Sequence, residues 1–420
     1  MKRVLFTLAL FAVVTGSVMA EKVAQAIWTK GNTTLTFIYD EIIYKEGDNF
    51  NGQTVTNVWN DTYDESDYRS IRYVYWFCNY FKWNDEVANL LTTAIFDSSF
   101  QDVAFTDTRG WFCYCGKLEN IIGLQYFNTE NVTHMTDMFY ECTNLSSLDM
   151  SHFKTNNVTD MENMFAFCES LTSLDLSNFD TSKVKTMKWM FVACSNLTSL
   201  NVSSFDTGNV LNMNYMFERC SKLTSLDVSG FNTKNVIDMK GMFGTCRGLT
   251  SLDVSKFDIS NAEIAGMFGG CSGLVSLDLS NFNTQNVTDM SGLFSGCSGL
   301  ISLDLSNFNT QNVTDMSGMF EGCSRLTSLD FDIFNTQEVK NMDYMFKGCS
   351  RMTSLDLSNF NTQNVTSMVR MFEGCSELNS LNIANFDTEK VENMEGMFHD
   401  CCVLTKEVFV WPQGHMKTML

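Results

Sequence analysis

The sequence predicts an α/β solenoid, with one parallel β-strand plus a turn or short helix in each 26-residue coil and a cap at its N-terminal end. Three observations lead there. Eleven cysteines from Cys142 to Cys401 follow one another at steps of 26 residues, apart from one step of 25 between Cys246 and Cys271. A fixed period of this size marks stacked units that touch only their neighbours. Within a copy, Leu303 and Leu305 alternate with Ser302, Asp304 and Ser306, the period of a half-buried strand. Val313, Met316, Met319, Phe320 and Cys323 then recur at short helical spacings, which suits a turn leading into a short helix with all five side chains inward.

The chain divides in four. Lys2 and Arg3 precede an apolar run from Val4 to Val14, and small residues at Val18 and Ala20 precede Glu21. That is the plan of a secretory signal peptide over residues 1–20, too short in its apolar part to span a membrane. Residues 21–105 do not fit the repeat. They hold a strand-like Thr34–Tyr39 and an aromatic cluster Tyr73–Tyr80, and are expected to cap the open first coil, whose strand edge would otherwise lie unpaired. Residues 106–406 form about eleven coils, degenerate at first around Trp111, Leu118, Phe127 and Val132, and a tail follows over 407–420.

Inside the coil, Asn309 and Thr310 are turn formers whose side chains bond nearby backbone, and Gly322 supplies a flexible corner. The repeated cysteines are expected to be one buried column of free thiols. Cys78, Cys113, Cys115 and the adjacent Cys401 and Cys402 fall outside that pattern or double it, and are the disulfide candidates, their pairing left open. The copy from Phe257 to Met267 is one residue short and is expected to weaken the stack locally.

Composition narrows the function. The formal net charge is −21, and −23 without Lys2 and Arg3 because residues 1–20 carry no acid. Such a surface argues against nucleic acid and anionic membranes as partners, since both are held by clustered Lys and Arg. The four histidines, His134, His152, His399 and His415, form no metal or catalytic motif, and no phosphate loop, nucleophile elbow or dinucleotide fingerprint is present. Catalysis needs a unique constellation, whereas the repeat supplies the same residues in every copy. The chain therefore reads as a non-enzyme.

The run Asn-Val-Thr-Asp-Met-Ser-Gly-Met-Phe-x-Gly-Cys-Ser-x-Leu-x-Ser-Leu-Asp-Leu-Ser-Asn-Phe-Asn-Thr, as at 286–310, resembles the 26-residue repeat of the BspA-like leucine-rich-repeat surface proteins, over about 110–404. The stretches starting at Leu35 and Ala94 are similar to the segment that leads into those repeats. The resemblance implies a leucine-rich-repeat-like solenoid, secreted or at the cell surface, that binds host or microbial surface macromolecules, above all proteins, in adhesion or host interaction. The alternative is a structural or shielding surface component with no specific ligand. The sequons at Asn131, Asn157, Asn286 and Asn312 recur because the repeat recurs.

The candidate binding residues are the outward strand acids Asp175, Asp227, Asp253, Asp278, Asp304, Asp330 and Asp356. Stacked carboxylates repel, so the column asks for a reason. A solvated face that guards strand edges, a basic partner, or calcium held by carboxylate and hydroxyl oxygens would each supply one. No other cofactor is expected.

Overall fold

The computed structural model describes residues 22–29, 33–60, 85–404 and 409–410. The signal peptide, the aromatic run Tyr73–Tyr80 with Cys78, and most of the C-terminal tail lie outside these described residues.

Strands β1 (Val23–Thr29), β2 (Thr34–Asp40), β3 (Asn49–Phe50) and β4 (Gln53–Asn60) form an antiparallel unit in the order β3-β4-β1-β2. Small and apolar residues buried on both faces of β1 explain its central place. Ala24, Ala26 and Trp28 enter the main core, while Ile27 packs with Ile38 and Val55 on the opposite side. A short helix α1 (Asp85–Leu90) leads to β5 (Thr93–Phe96), which pairs with β2, and β6 (Asn120–Ile122) pairs with β5 in turn, both in parallel. Stacking therefore begins at residue 93, inside the segment that the pattern assigned to the cap. The junction is sealed by aromatic rings, with Phe37 stacked on Phe96 at 4.6 Å and Trp111 tilted against Phe127 at 4.7 Å.

From there one hydrophobic core runs unbroken to Met397. Val313, Met316, Met319, Phe320 and Cys323 are all fully buried, as their spacing predicts. They do not lie on a helix. Each coil instead places two residues in the left-handed region four positions apart, from Gly110 and Tyr114 through Asp137 and Glu141 to Gly396 and Asp400. The effect on the backbone is an alternation of donors. The N–H groups of Met135, Asp137, Phe139 and Glu141 reach carbonyls of the next coil at 2.8–2.9 Å, while those of Met138, Tyr140 and Cys142 bond three residues back within their own coil. An α-helix would direct all of these donors inward along itself. The paired glycines at 318 and 322, poor helix formers that adopt left-handed backbone at no steric cost, explain the choice.

The strand half also departs from expectation. Beyond β6, among the described residues, only β7 (Ser173–Asp175) with β8 (Ser199–Asn201), and β9 (Ser354–Asp356) with β10 (Ser380–Asn382) and β11 (Phe409–Val410), pair as parallel strands. Among the described residues the equivalent segments between β8 and β9 form no paired strand. The spacing between coils also differs from one side of the stack to the other. Rings of the Phe112 to Phe398 column stack at 5.5–5.9 Å, whereas Phe205, Phe231 and Phe257, and Phe308, Phe334 and Phe360, are 6.4–6.5 Å apart. The coils draw together on the turn side and separate toward the strand corner. Leu305 is accordingly buried but Leu303, at the rim, is only half-buried.

Three polar ladders tie coil to coil. Each column thiol donates to the carbonyl of the core phenylalanine one coil back, as Cys323 to Phe294 at 3.1 Å. Asn312 Nδ2 donates to the Gln285 carbonyl at 2.8 Å, which accounts for the recurring sequon asparagine. Thr310 is buried, donates to the Asn335 carbonyl at 2.9 Å and accepts the Asn335 N–H at 2.8 Å. The turn itself is bonded by Asn309, whose Oδ1 accepts from the Gln311 amide at 3.1 Å.

The short copy loosens one junction. A parallel bridge runs from Asp107 to Glu263 and resumes from Asp289 to Asn393, with no bridge between Glu263 and Asp289. Ile259 stands where other copies have the stapling threonine, and the Ile264 amide lacks the inter-coil bond that Met239 and Met316 make. Phe268 still stacks on Phe294 at 5.9 Å, so the core passes through. Among the described residues no helix is long and apolar enough to cross a membrane.

Two outcomes follow from this packing. Replacing Thr310 with valine strands both backbone groups of Asn335 and is expected to lower the unfolding free energy by about 1–3 kcal/mol, with serine restoring most of it; equal urea midpoints for the valine and serine variants would refute the staple. In native-state hydrogen exchange, the Ile264 amide should exchange faster than those of Met239 and Met316. Equal protection at the three would mean the short copy costs the stack nothing.

Candidate functional site

Two outward faces repeat along the stack. On the strand side, Asp175, Asp227, Asp253, Asp278, Asp304, Asp330 and Asp356 are all exposed. Each accepts the amide two residues on at 2.9–3.0 Å, as Ser306 N–H to Asp304 Oδ1. The hydroxyl and amide of that serine hold Asp227, Asp253, Asp304 and Asp356 below the usual carboxylate range. At Asp175 and Asp278 the amide is the larger influence, and Asp253 and Asp304 push Asp278 the other way. Asn201 and Asn382 make the same turn contact at 3.2 Å with no charge. The column thus has a local cause, the Asx turn that carries the chain out of the strand segment. The Asp-x-Ser spacing was its signal. Among the described residues no three His, Cys, Asp or Glu side chains converge as metal ligands.

The turn side differs from coil to coil, and sequence reasoning missed it. Its left-handed positions carry Tyr114, Phe167, Trp189 and Tyr215 in early coils, with Tyr140 beside them, but Gly266, Gly292 and Gly318 in later ones. Here Tyr114 and Tyr140 meet edge to face with centroids 5.3 Å apart. Asp137 is half-buried and accepts from Asn163 Nδ2 at 2.9 Å, and burial, with Glu162 and Asp160 nearby, pushes its carboxyl up. Burial also raises the Tyr140 hydroxyl, to about 12, with the charge of Glu141 adding to it, and acts likewise on Tyr114. A shallow polar cleft lies at the start of the stack, between β6 and Ser147–Asp149.

A family model described as "Mycoplasma protein of unknown function, DUF285" matches the sequence five times, over residues 81–174, 100–222, 166–276, 262–357 and 329–420. The chain belongs to the DUF285 family. Its overlapping matches are what a model spanning several identical coils gives on a stack of them. No curated protein matches the chain. Among solved structures, the crystal structure of the TLR13-ssRNA13 complex is similar at 19% identity over 75% of this chain, with a TM-score of 0.28. This DUF285 chain spans less than half of that one, 46%.

The reactive groups of the DUF285 coils are their thiols. Cys115 and the repeat cysteines through Cys375 are free and buried, Cys401 is half-buried, and Cys402 is free and exposed. Cys113 is disulfide-bonded, whereas the other described candidates, Cys115, Cys401 and Cys402, are not. Cys115 and Cys401 belong to the column: Cys401 donates to the Phe372 carbonyl at 3.0 Å, and Cys115 lies fully buried one coil before Cys142. Burial pushes Cys115, Cys194, Cys271 and Cys349 up to about 12 from an ordinary 9.0.

Between pH 9 and 12 the folded chain therefore keeps protons that the unfolded chain has released. Stability should fall steeply across that window, and a melting temperature that stays level there would contradict the buried column. Under native conditions near neutral pH, a thiol reagent should modify Cys402 first among the described cysteines. Rapid native labelling of Cys323 would show that the column is open.

Proposed function

We propose that this is an exported, non-catalytic repeat protein of BspA-like kind, which binds host or microbial surface macromolecules, chiefly proteins, in adhesion or host interaction. The observation that carries this reading is the regular display of side chains. Coils 5.5–5.9 Å apart along the phenylalanine column hold outward residues in register over the whole stack, so that many weak contacts can add over one extended partner. The basic and apolar start of the chain, Lys2 and Arg3 before Val4–Val14, supports export. The acids Asp175 to Asp356 are the strand-side candidate for the contact.

One observation favours a second reading, a shielding surface component with no specific ligand: the aspartates already serve as turn caps. The two are separated by binding of the purified protein to immobilised host-matrix proteins and bacterial cells, at low and high salt. Beside it goes the triple variant Asp278→Asn, Asp304→Asn, Asp356→Asn, which keeps the turn contacts seen at Asn201 and Asn382 and removes three charges. Saturable binding by the parent is expected. Loss in the variant assigns contact to the strand side, retention assigns it to the turn side, and no saturable binding by the parent sinks the adhesive reading.

A further inference from the structure

The turn side of the early coils holds a row of aromatic rings that the core does not use. Tyr140 meets Tyr114 at 5.3 Å and Phe167 at 5.6 Å, and Trp189 meets Tyr215 at 6.1 Å. Tyr140, Phe167 and Trp189 pack on a small separate cluster, Ala166, Val192 and Ala193, and Tyr114 is 51% exposed. Rings of this size lying in a contiguous, half-open row are characteristic of contact surfaces.

The charges around the row have one sign left over. Asp137 and Glu141 make no ion pair among the described residues. Nearby cations are already engaged, Arg109 with Asp107 at 2.6 Å and Lys188 with Glu162 at 2.9 Å. Glu141 also disfavours ionisation of both tyrosines, so its field falls on the rings. The chain's own lysines show what such a ring accepts: Lys188 lies 5.6 Å from the Trp189 ring centroid and Lys347 5.1 Å from that of Tyr344.

We propose that Tyr114, Tyr140 and Phe167, with Asp137 and Glu141, form a docking surface for a lysine- or arginine-rich segment of a partner protein. The cationic side chains would lie over ring faces and against the two carboxylates, where cation–π attraction and opposite charge act together. This rests on the binding reading above and names its surface and partner class.

The test is fluorescence anisotropy of a labelled lysine-glycine repeat peptide titrated with the full chain. A glutamate-glycine peptide and labelled dextran are the controls. The parent should bind the lysine peptide saturably and neither control. Tyr114→Asn with Tyr140→Ser should weaken it about tenfold, while Tyr114→Phe with Tyr140→Phe keeps it. Asparagine suits the left-handed backbone of Tyr114, and matching thermal midpoints confirm folding. Should the double variant unfold, Glu141→Gln alone, expected to weaken binding several-fold, decides. Equal affinity of parent and ridge variants overturns the assignment, as does preference for dextran. If the peptide fails to bind while a surface macromolecule does, the ridge is refuted and the adhesive reading stands; if neither binds, both fall.

Discussion

The fold depends on an alternation of backbone donors that two left-handed residues impose on every coil. Residues such as Asp137 and Glu141 turn the chain so that every second amide points to the next coil and the rest close turns within their own. A non-glycine residue in that conformation costs about 1 kcal/mol. The coil-to-coil hydrogen bonds it permits more than offset that, because unmade buried backbone bonds cost comparable amounts each. Coil spacing on this side is then set by backbone hydrogen bonding. The phenylalanine rings follow at 5.5–5.9 Å with planes mostly within 10° of parallel, and the thiols fall within reach of carbonyls one coil back.

The polar residues of the core complete what the turns leave open. Thr310 satisfies a donor and an acceptor of one residue in the next coil, and the thiol of Cys323 adds a second donor to the Phe294 carbonyl, which already accepts the Cys297 amide. The short copy shows how these ties divide. With Ile259 in the threonine place and one residue lost, the bridge between Glu263 and Asp289 is missing, yet the phenylalanine stack and the bond from Cys297 to the Phe268 carbonyl continue. The deletion therefore removes local ties while the core and the backbone bonds of Gly266 and Phe268 to the next coil persist.

Much of this was legible in the period and in the identity of the inward residues, because burial of Val313, Met316, Met319, Phe320 and Cys323 follows from hydrophobic spacing alone. The path between them was not. A spacing of three and four reads as helix whenever left-handed residues are not considered, although the glycines at 318 and 322 marked the need for them. The strand pattern around Leu303 was legible, but whether neighbouring segments pair is set by how whole coils stack, which no single copy contains. Thr310 read as a turn residue because its partner lies 25 residues away, beyond any local rule. The aspartate column invited a ligand because its cause is a backbone amide two places on, to which the Asp-x-Ser spacing is only an indirect pointer.

Uniform and local features then separate structure from contact. Residues that recur in nearly every coil, including Asp304 and its equivalents, each have a bond that the coil itself requires. The left-handed positions vary in side chain: tyrosine, phenylalanine and tryptophan early, glycine in the middle, then tyrosine at 344 and arginine at 370. Glycine is the residue this conformation favours, so bulky aromatic residues there work against backbone preference and gain no burial in the main core. What packing they have is with one another and with the small cluster of Ala166, Val192 and Ala193. The turn side, where the coils stand closest and this local aromatic row lies, is where the stack ceases to be uniform.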